Sequence, residues 1–195
     1  MRLDGPNRSL VLLGGGIGAG KSSVARVFAD AGYVLIEADR VGADVLVPGT
    51  EATRSVGLEW PDVVVDGVVD RKALAGIVFR DAEALSRLEA ITHPAIGAEI
   101  AQRVAATETD VVVEVPVQHL AVDGDWTRIA VVAAQATRIA RAVDRGGDPD
   151  DVKRRVAAQA PDSAWEEWAD IVIDNSHTWF ETERAIEAIV DGLAE

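Results

Sequence analysis

Short runs of apolar residues recur along the 195-residue chain, and longer, partly apolar segments separate them. The runs are Leu10–Leu13, Val34–Ile36, Val111–Val115, Ile129–Ala133 and Ile171–Ile173. Continuous apolar runs of this length are typical of strands buried on both faces of a parallel sheet. We therefore expect these five runs to form five parallel strands.

Helical patterns occupy the segments between these runs. The predicted helices are Ser22–Ala31, two or three helices over 70–106, then Gln135–Asp144, Asp151–Gln159 and a closing helix from about Thr178 to Leu193. Pro94 lacks a backbone donor, so we expect it to break or kink a helix in the 70–106 segment. Strands that alternate with helices predict a doubly wound α/β fold with a five-stranded parallel sheet. Ligands of such sheets bind beyond the carboxyl ends of the strands.

Composition favours one globular domain over the whole length, 1–195. Apolar residues make up 48% and charged residues 27% of the chain, and there is no Cys. No apolar run approaches the roughly 20 residues that span a bilayer, so we expect no membrane association. The start, MRLDGPNRSL, lacks the apolar centre of a signal peptide. These features predict a cytoplasmic location.

The net charge of −14 restricts the choice of ligand. Non-specific binding to nucleic acid needs a basic surface, so we expect no nucleic-acid partner. The same overall field repels any polyanion, which means that phosphate binding would depend on local donors and Mg²⁺. The chain has only three Lys, which makes a Lys placed at a phosphate site informative.

The segment after the first run fits the pattern G-x-x-x-x-G-K-[ST], between an apolar strand and an amphipathic helix. Glycines let backbone N–H groups curl around phosphate oxygens, and the helix N-terminus adds partial positive charge. We predict that this segment binds a nucleoside triphosphate, as it does in GTPases, ATPases and small-molecule kinases alike, that Lys21 neutralises the transferred phosphoryl group and that Ser22 binds Mg²⁺. The predicted loop residues are Gly15, Gly16, Ile17, Gly18, Ala19, Gly20, Lys21, Ser22 and Ser23.

Acidic residues follow two other predicted strands. Glu114 stands at the end of the third run, where it would hold Mg²⁺ or its water shell; the alternative is a solvated acid at a strand end. Glu37 and Asp39 follow the second run. Acids directly after the second strand favour a small-metabolite or nucleotide kinase, and Asp39 would also suit the N-cap of a helix that begins near Arg40.

An arginine-bearing segment, 138–160, precedes the last run and resembles the lid of small-molecule kinases. It contains Arg138, Arg141 and Arg145, of which the last two are four residues apart and share a helical face. We predict that Arg141 and Arg145 close over the phosphates of the bound nucleotide. The alternative is a solvated basic face.

Taken together, these motifs resemble the dephospho-coenzyme A kinases over most of the chain. The pieces after the loop include VVVEVP, and the most specific are THP at Thr92–Pro94, AAQ at Ala157–Gln159 and IDN at Ile173–Asn175. The resemblance implies a P-loop kinase that transfers the ATP γ-phosphate to the ribose 3′-hydroxyl of dephospho-CoA. It implies Asp39 as the base, Asn175 at the ATP site and a helical acceptor-binding segment over about 40–106. Within that segment, Arg71 and His93 are the predicted acceptor contacts.

The chain departs from this family at several positions. The family commonly has Asp-Ala-Asp where this chain has Glu37-Ala38-Asp39, and Arg near Ala75 and Ile77. Its Glu after VP-Leu-Leu corresponds here to Leu120. Two alternatives therefore stay open, namely a kinase of another small alcohol or nucleoside, and a nucleotide-binding regulator that has lost phosphoryl transfer.

Overall fold

The computed structural model of the protein describes residues 8–193. Residues 1–7 and 194–195 lie outside the described part. Most of the segment MRLDGPNRSL, which we predicted not to be a signal peptide, therefore lies outside it as well. Among residues 8–193, no helix is long and apolar enough to cross a membrane.

The described residues contain seven strands, five of which form one parallel sheet. The strands are β1 Leu10–Gly14, β2 Val34–Glu37, β3 Val64–Val65, β4 Val68–Val69, β5 Val111–Glu114, β6 Thr127–Val132 and β7 Ile171–Asp174. The order of the large sheet is β2-β5-β1-β6-β7, and every neighbouring pair is parallel. The predicted five-stranded, doubly wound α/β fold is confirmed. β3 and β4 form a separate antiparallel hairpin.

Nine α-helices and one short 3-10 turn, Pro61–Val63, complete the described residues. The helices are α1 Lys21–Asp30, α2 Ala38–Asp44, α3 Glu51–Glu59, α4 Arg71–Val78, α5 Ala82–Ala105, α6 Gln135–Asp144, α7 Pro149–Ala158, α8 Asp162–Trp168 and α9 Trp179–Leu193. The sequence pattern missed α3 and α8.

The chain divides into two compact units. The first unit comprises residues 8–37, 106–119 and 124–193 of the described part, and so contains the large sheet with the helices that follow its strands. Its main core packs α1 and α9 against one face of the sheet through Phe28 and Ile186, both fully buried. Because α1 and α9 cover this face of the sheet, β1 is held in place, and the loop that connects β1 to α1 starts from a fixed point.

The second unit comprises 38–105 with 120–123 and is mainly helical. Its own core gathers Val56 of α3, Val63, Val69 of the hairpin, and Leu74 and Val78 of α4. This apolar cluster gives the helices of the second unit a hydrophobic centre that is separate from the core of the sheet.

The predicted break at Pro94 is wrong, because α5 runs without interruption from Ala82 to Ala105. A proline inside a helix removes the bond to the carbonyl four residues earlier, here that of Ala90. Both Pro94 and Ala90 are exposed, so water can satisfy that carbonyl. Buried residues on both sides of the proline, among them Ala84 and Ile100, hold the two halves in one helix.

One smaller expectation in the second unit is also wrong. α2 begins at Ala38, so Asp39 lies in its first turn and is not the N-cap of a helix that begins near Arg40. An acidic side chain in the first turn still interacts favourably with the helix dipole. His93, a predicted acceptor contact, lies in the middle of α5 because the helix continues through Pro94.

Gly97 of α5 provides a test of packing in the second unit. A Cβ at this position would lie 2.4 Å from the backbone oxygen of Ala121, which cannot rotate away. We expect Gly97→Ala to lower the free energy of unfolding by about 1–3 kcal/mol, the usual cost of overpacking. Gly76→Ala in α4 is the matched control, since nothing lies within 4 Å of its added methyl group. Its helix propensity should raise stability by about 0.5–1 kcal/mol. Urea denaturation measures both changes, and the same sign for the two variants would contradict the packing argument.

Candidate active site

The loop between β1 and α1 reverses the chain through several left-handed glycines. Gly15, Gly18 and Gly20 have φ values of 146°, 78° and 106°, and Gly20 is the N-cap of α1. Residues with a Cβ rarely adopt these angles. The loop therefore leads directly into a helix N-terminus, the arrangement that binds phosphate groups through backbone N–H donors.

The loop also packs too tightly against its surroundings to carry side chains. A Cβ on Gly16 would lie 2.2 Å from the guanidinium of Arg138, and one on Gly18 would lie 2.1 Å from the backbone oxygen of Arg138. A Cβ on Gly20 would lie 2.2 Å from Nδ2 of Asn175. Gly18 and Gly20 are thus required by both backbone angle and contact, and Gly16 by contact.

Arg138 of α6 binds the outer side of the loop. Its Nε donates to the Ile17 carbonyl at 3.0 Å, its Nη1 forms an ion pair with Asp162 at 2.5 Å, and its Nη2 donates to Gln159 at 3.2 Å. Oε1 of Gln159 also accepts the Ile17 N–H at 2.8 Å. Only 3% of Arg138 is exposed, so its positive charge is enclosed by these partners.

A second set of donors holds the end of the loop. The Ala19 carbonyl accepts from Nδ2 of Asn175 at 2.8 Å and from Nη1 of Arg141 at 3.5 Å. Nη2 of Arg141 also donates to the Asn175 carbonyl at 3.0 Å, and Thr182 donates its hydroxyl hydrogen to Oδ1 of Asn175 at 3.1 Å. Asn175 is 3% exposed, so its amide fixes the backbone of the loop.

Lys21 and Ser22 occupy the first turn of α1. Nζ of Lys21 lies 3.0 Å from the Gly15 carbonyl, at the inner side of the loop. The Ser22 hydroxyl donates to Oε1 of Glu114 at 3.2 Å. Glu37 at the end of β2 pairs in register with Glu114 at the end of β5. A hydroxyl and two strand-end carboxylates are the oxygen ligands that suit Mg²⁺.

The remaining predicted site residues lie on the surface of their own units. Arg145 follows α6 and is exposed, with its Nε donating to the Arg141 carbonyl at 3.2 Å. Asp39 is exposed in the first turn of α2. Arg71 is the first residue of α4 and donates to the Ala43 carbonyl at 2.5 Å, and His93 is half-buried within α5.

One carboxylate near the loop has a shifted pKa. The hydroxyl and the backbone N–H of Ser176 hydrogen-bond to Asp174, and together they hold the pKa of Asp174 below its ordinary value against the opposing effect of partial burial. His177, 3.6 Å away, adds a smaller effect in the same direction. Asp174 ends β7 immediately before Asn175, so this carboxylate remains charged at neutral pH beside the loop support.

The sequence analysis did not identify Gln159, Asp162 or Arg138 as site residues. Gln159 belongs to the AAQ motif, which supported the family resemblance, and this motif was the only feature of the sequence that indicated a role for Gln159. Their partnership joins residue 17 to residues 138, 159 and 162, which lie more than 120 positions later in the chain, so no local spacing indicates it.

A glycine loop at the end of the central strand, followed by a Lys-Ser pair and set in a parallel sheet of this order, defines a P-loop kinase. A family model described as dephospho-CoA kinase matches residues 9–181. The chain belongs to the dephospho-CoA kinase family, and the resemblance predicted from its motifs is confirmed.

Individual relatives agree with this assignment. A dephospho-CoA kinase from Geobacter sulfurreducens is 37% identical over 190 residues, which cover 93% of this chain and 96% of the relative. The crystal structure of TT1252 from Thermus thermophilus has a TM-score of 0.78 at 28% identity and covers 95% of this chain and 98% of its own. The dephospho-CoA kinase from Campylobacter jejuni, with a TM-score of 0.63 at 20% identity, covers 96% of this chain and 98% of its own and shares the fold.

Gly18→Ala tests whether contact at the loop, and not only backbone angle, supports nucleotide binding. The added methyl group would meet the backbone of Arg138 at 2.1 Å, so the loop must open. We expect ATP affinity to fall at least about tenfold, which corresponds to the ~1.4 kcal/mol of one or two lost backbone hydrogen bonds. Isothermal titration calorimetry with ATP measures this loss.

Gly32→Ala is the matched control for this experiment. Gly32 also has a positive φ, 101°, but nothing lies within 4 Å of an added Cβ. It should show the conformational cost of about 1–2 kcal/mol in stability and no change in ATP affinity. Equal ATP affinity of the two variants would contradict the role of loop contact.

Proposed function

We propose that the protein transfers the γ-phosphoryl group of ATP to the ribose 3′-hydroxyl of dephospho-CoA and so produces coenzyme A and ADP. The observation that carries this proposal is the family match over residues 9–181, which includes a complete phosphate-binding loop. Its substrates are small molecules, and the net charge of −14 favours neither nucleic acid nor any other polyanion as a non-specific partner.

The loop would hold the phosphates of ATP through the N–H groups around Gly18–Ser22 and the dipole of α1. Lys21 supplies the positive charge on the inner side of the loop, where Nζ lies near the Gly15 carbonyl. As charge shifts onto the leaving β-phosphate, an ammonium in this position stabilises the transition state more than the ground state. Arg141 lies on α6 and Arg145 follows that helix directly, and both would add charge to the γ-phosphate side.

The residues present fit a magnesium ion. Ser22 and Glu114 are already within hydrogen-bond distance of each other, and Glu37 is the register partner of Glu114. These side chains offer only oxygen atoms, as Mg²⁺ requires. We propose that Ser22 binds the ion and that Glu114 holds its water shell. The bound ion would neutralise charge on the β- and γ-phosphate oxygens.

Asp39 is the proposed base. It is exposed and stands two residues beyond Glu37, whose register partner Glu114 contacts Ser22. A carboxylate that accepts a hydrogen bond from the acceptor hydroxyl orients its oxygen toward phosphorus and takes its proton as the phosphoryl group is transferred. Arg71 and His93 are proposed acceptor contacts in the second unit.

Acceptor identity is tested by incubating the purified protein with ATP and Mg²⁺, with and without dephospho-CoA, and identifying the product by mass spectrometry. We expect coenzyme A to form in stoichiometric amounts with ADP. A panel of nucleosides serves as the competing acceptor set, because Ala75 and Ile77 stand where the family commonly has arginine. Phosphorylation of a nucleoside with no coenzyme A formed, or ATP binding without transfer to any acceptor, would overturn the proposal.

Asp39→Asn tests the base. The substitution keeps the size of the side chain and removes its ability to accept a proton, so kcat should fall by about 100-fold to 10,000-fold. The KM for ATP should change less than about threefold, since Asp39 would contact the acceptor and not the loop. Steady-state kinetics measure both values. Retention of near-normal kcat would contradict the assignment.

Lys21→Ala is the contrasting variant on the donor side. It should abolish turnover, because the charge that stabilises the transferring phosphoryl group is lost. A mock purification without the protein measures the activity of any contaminating kinase. Turnover by Lys21→Ala above this background would contradict the role of Lys21.

A further inference from the structure

Arg138 differs in burial from Arg141, the other arginine of α6: Arg138 is buried, whereas Arg141 is half-buried. The side chains of Arg138 and Asp162 form an ion pair in which they are 4% and 31% exposed, respectively. A guanidinium enclosed in this way is not available to close over a substrate. It faces the backbone of the phosphate loop from the outer side, at Ile17.

We propose that Arg138 is a positioning residue for the donor phosphates: held by Asp162 and Gln159, it fixes the backbone at Ile17 so that the following N–H groups of the loop face the nucleotide. The inference rests on the proposed ATP-binding function. It goes beyond that function because it assigns the affinity for β-phosphate to side chains that never touch the nucleotide.

Both backbone polar groups of Ile17 are hydrogen-bonded by side chains. The Ile17 carbonyl accepts from Nε of Arg138, and the Ile17 N–H donates to Gln159, whose same oxygen accepts from Nη2 of Arg138. Two side chains and one residue of the loop thus form a ring of three hydrogen bonds. Rotation of either peptide group next to Ile17 would break at least one of them.

This ring determines which groups of the loop can meet phosphate. The Ile17 N–H is committed to Gln159, so Ile17, although predicted as an ATP-binding residue, would contribute its backbone position and not a donor. Its carbonyl is directed to Arg138 and is therefore kept away from the phosphate oxygens, which it would repel. The N–H groups that follow, toward the N-terminus of α1, are then presented together.

The carboxylate of Asp162 balances the positive charge of the Arg138 guanidinium. Burying an arginine without a partner costs several kcal/mol, and an ion pair at 2.5 Å with further hydrogen bonds offsets that cost. Asp162 is the first residue of α8. In the same helix, Trp165 is 3% exposed and packs so closely on Gly14 that a Cβ there would lie 2.3 Å from its ring. α8 therefore holds the loop at its start and, through Arg138, at its middle.

The test is a double-mutant cycle with Asp162→Asn, Arg138→Met and the combined variant, measured by calorimetric titration with ADP and with AMP. Loss of a hydrogen bond to a charged group corresponds to about a tenfold to 100-fold weaker affinity, which we expect for ADP in Arg138→Met. Asp162→Asn should weaken ADP binding by about threefold to tenfold. AMP lacks the β-phosphate, so its affinity should change less than about threefold.

The cycle separates positioning from general stability. If Asp162 acts through Arg138, then Asp162→Asn adds no further loss of ADP affinity in the Arg138→Met background. In steady-state assays the KM for ATP should rise in both single variants, while the KM for dephospho-CoA stays the same. Asp191→Asn, the same substitution at an exposed position of α9, is the matched control and should leave ADP affinity unchanged.

Three results would overturn the inference: unchanged ADP affinity in Asp162→Asn, equal losses for ADP and AMP, or additive effects in the combined variant. If Arg138→Met fails to fold, Asp162→Asn still decides the question, because its side chain is 31% exposed and water can replace part of the lost ion pair. Wild-type protein that binds ADP without phosphorylating dephospho-CoA would refute the proposed function alone. Absence of ADP binding by wild-type protein would refute both.

Discussion

The site depends on one constraint, the direction of the peptide groups in the loop between β1 and α1. Each peptide group carries a donor and an acceptor that point in opposite directions, so a loop can bind phosphate only if its carbonyls are held away from the ligand. Here the carbonyls of Ile17 and Ala19 are bound by side chains from the first unit, Arg138 on one and Asn175 with Arg141 on the other. The glycines allow the loop several backbone conformations, and the hydrogen bonds from these side chains hold it in one of them.

The supporting side chains come from the parts of the chain that follow β6 and β7. α6 follows β6 and carries Arg138 and Arg141, while Asn175 follows β7 directly. In a parallel sheet the carboxyl ends of neighbouring strands lie at one edge, so residues distant in sequence meet at the same loop. The order of strands thus supplies the loop with supports on the side of β6, and with Glu114 of β5 on the other side.

Much of this fold could be predicted from sequence because the strands of the large sheet are nearly continuous in apolar residues. All five were located to within one or two residues, and Gln135–Asp144 was predicted with its observed bounds. α3 and α8 were missed because their patterns are weak: α3 buries only Ala52, Thr53 and Val56, and α8 buries only Trp165 in seven residues. The loop itself was predictable from its motif, whereas its supports were not. Arg138 and Arg141 look alike in sequence, and only the distant Asp162 and Gln159 show that one of them is enclosed.

Because the protein is strongly negative, the enclosure of Arg138 determines how this arginine can contribute to phosphate binding. The overall field of a chain with net charge −14 opposes ATP, so attraction must come from cations whose charge is not already cancelled nearby. The charge of Arg138 is balanced by Asp162 at 2.5 Å, and at the distance of the phosphates such a pair acts as a dipole with a much weaker field than a free charge. Arg138 therefore cannot be a major source of attraction. Its contribution lies in the direction of the loop backbone, which leads into the N-terminus of α1, where partial positive charge favours phosphate.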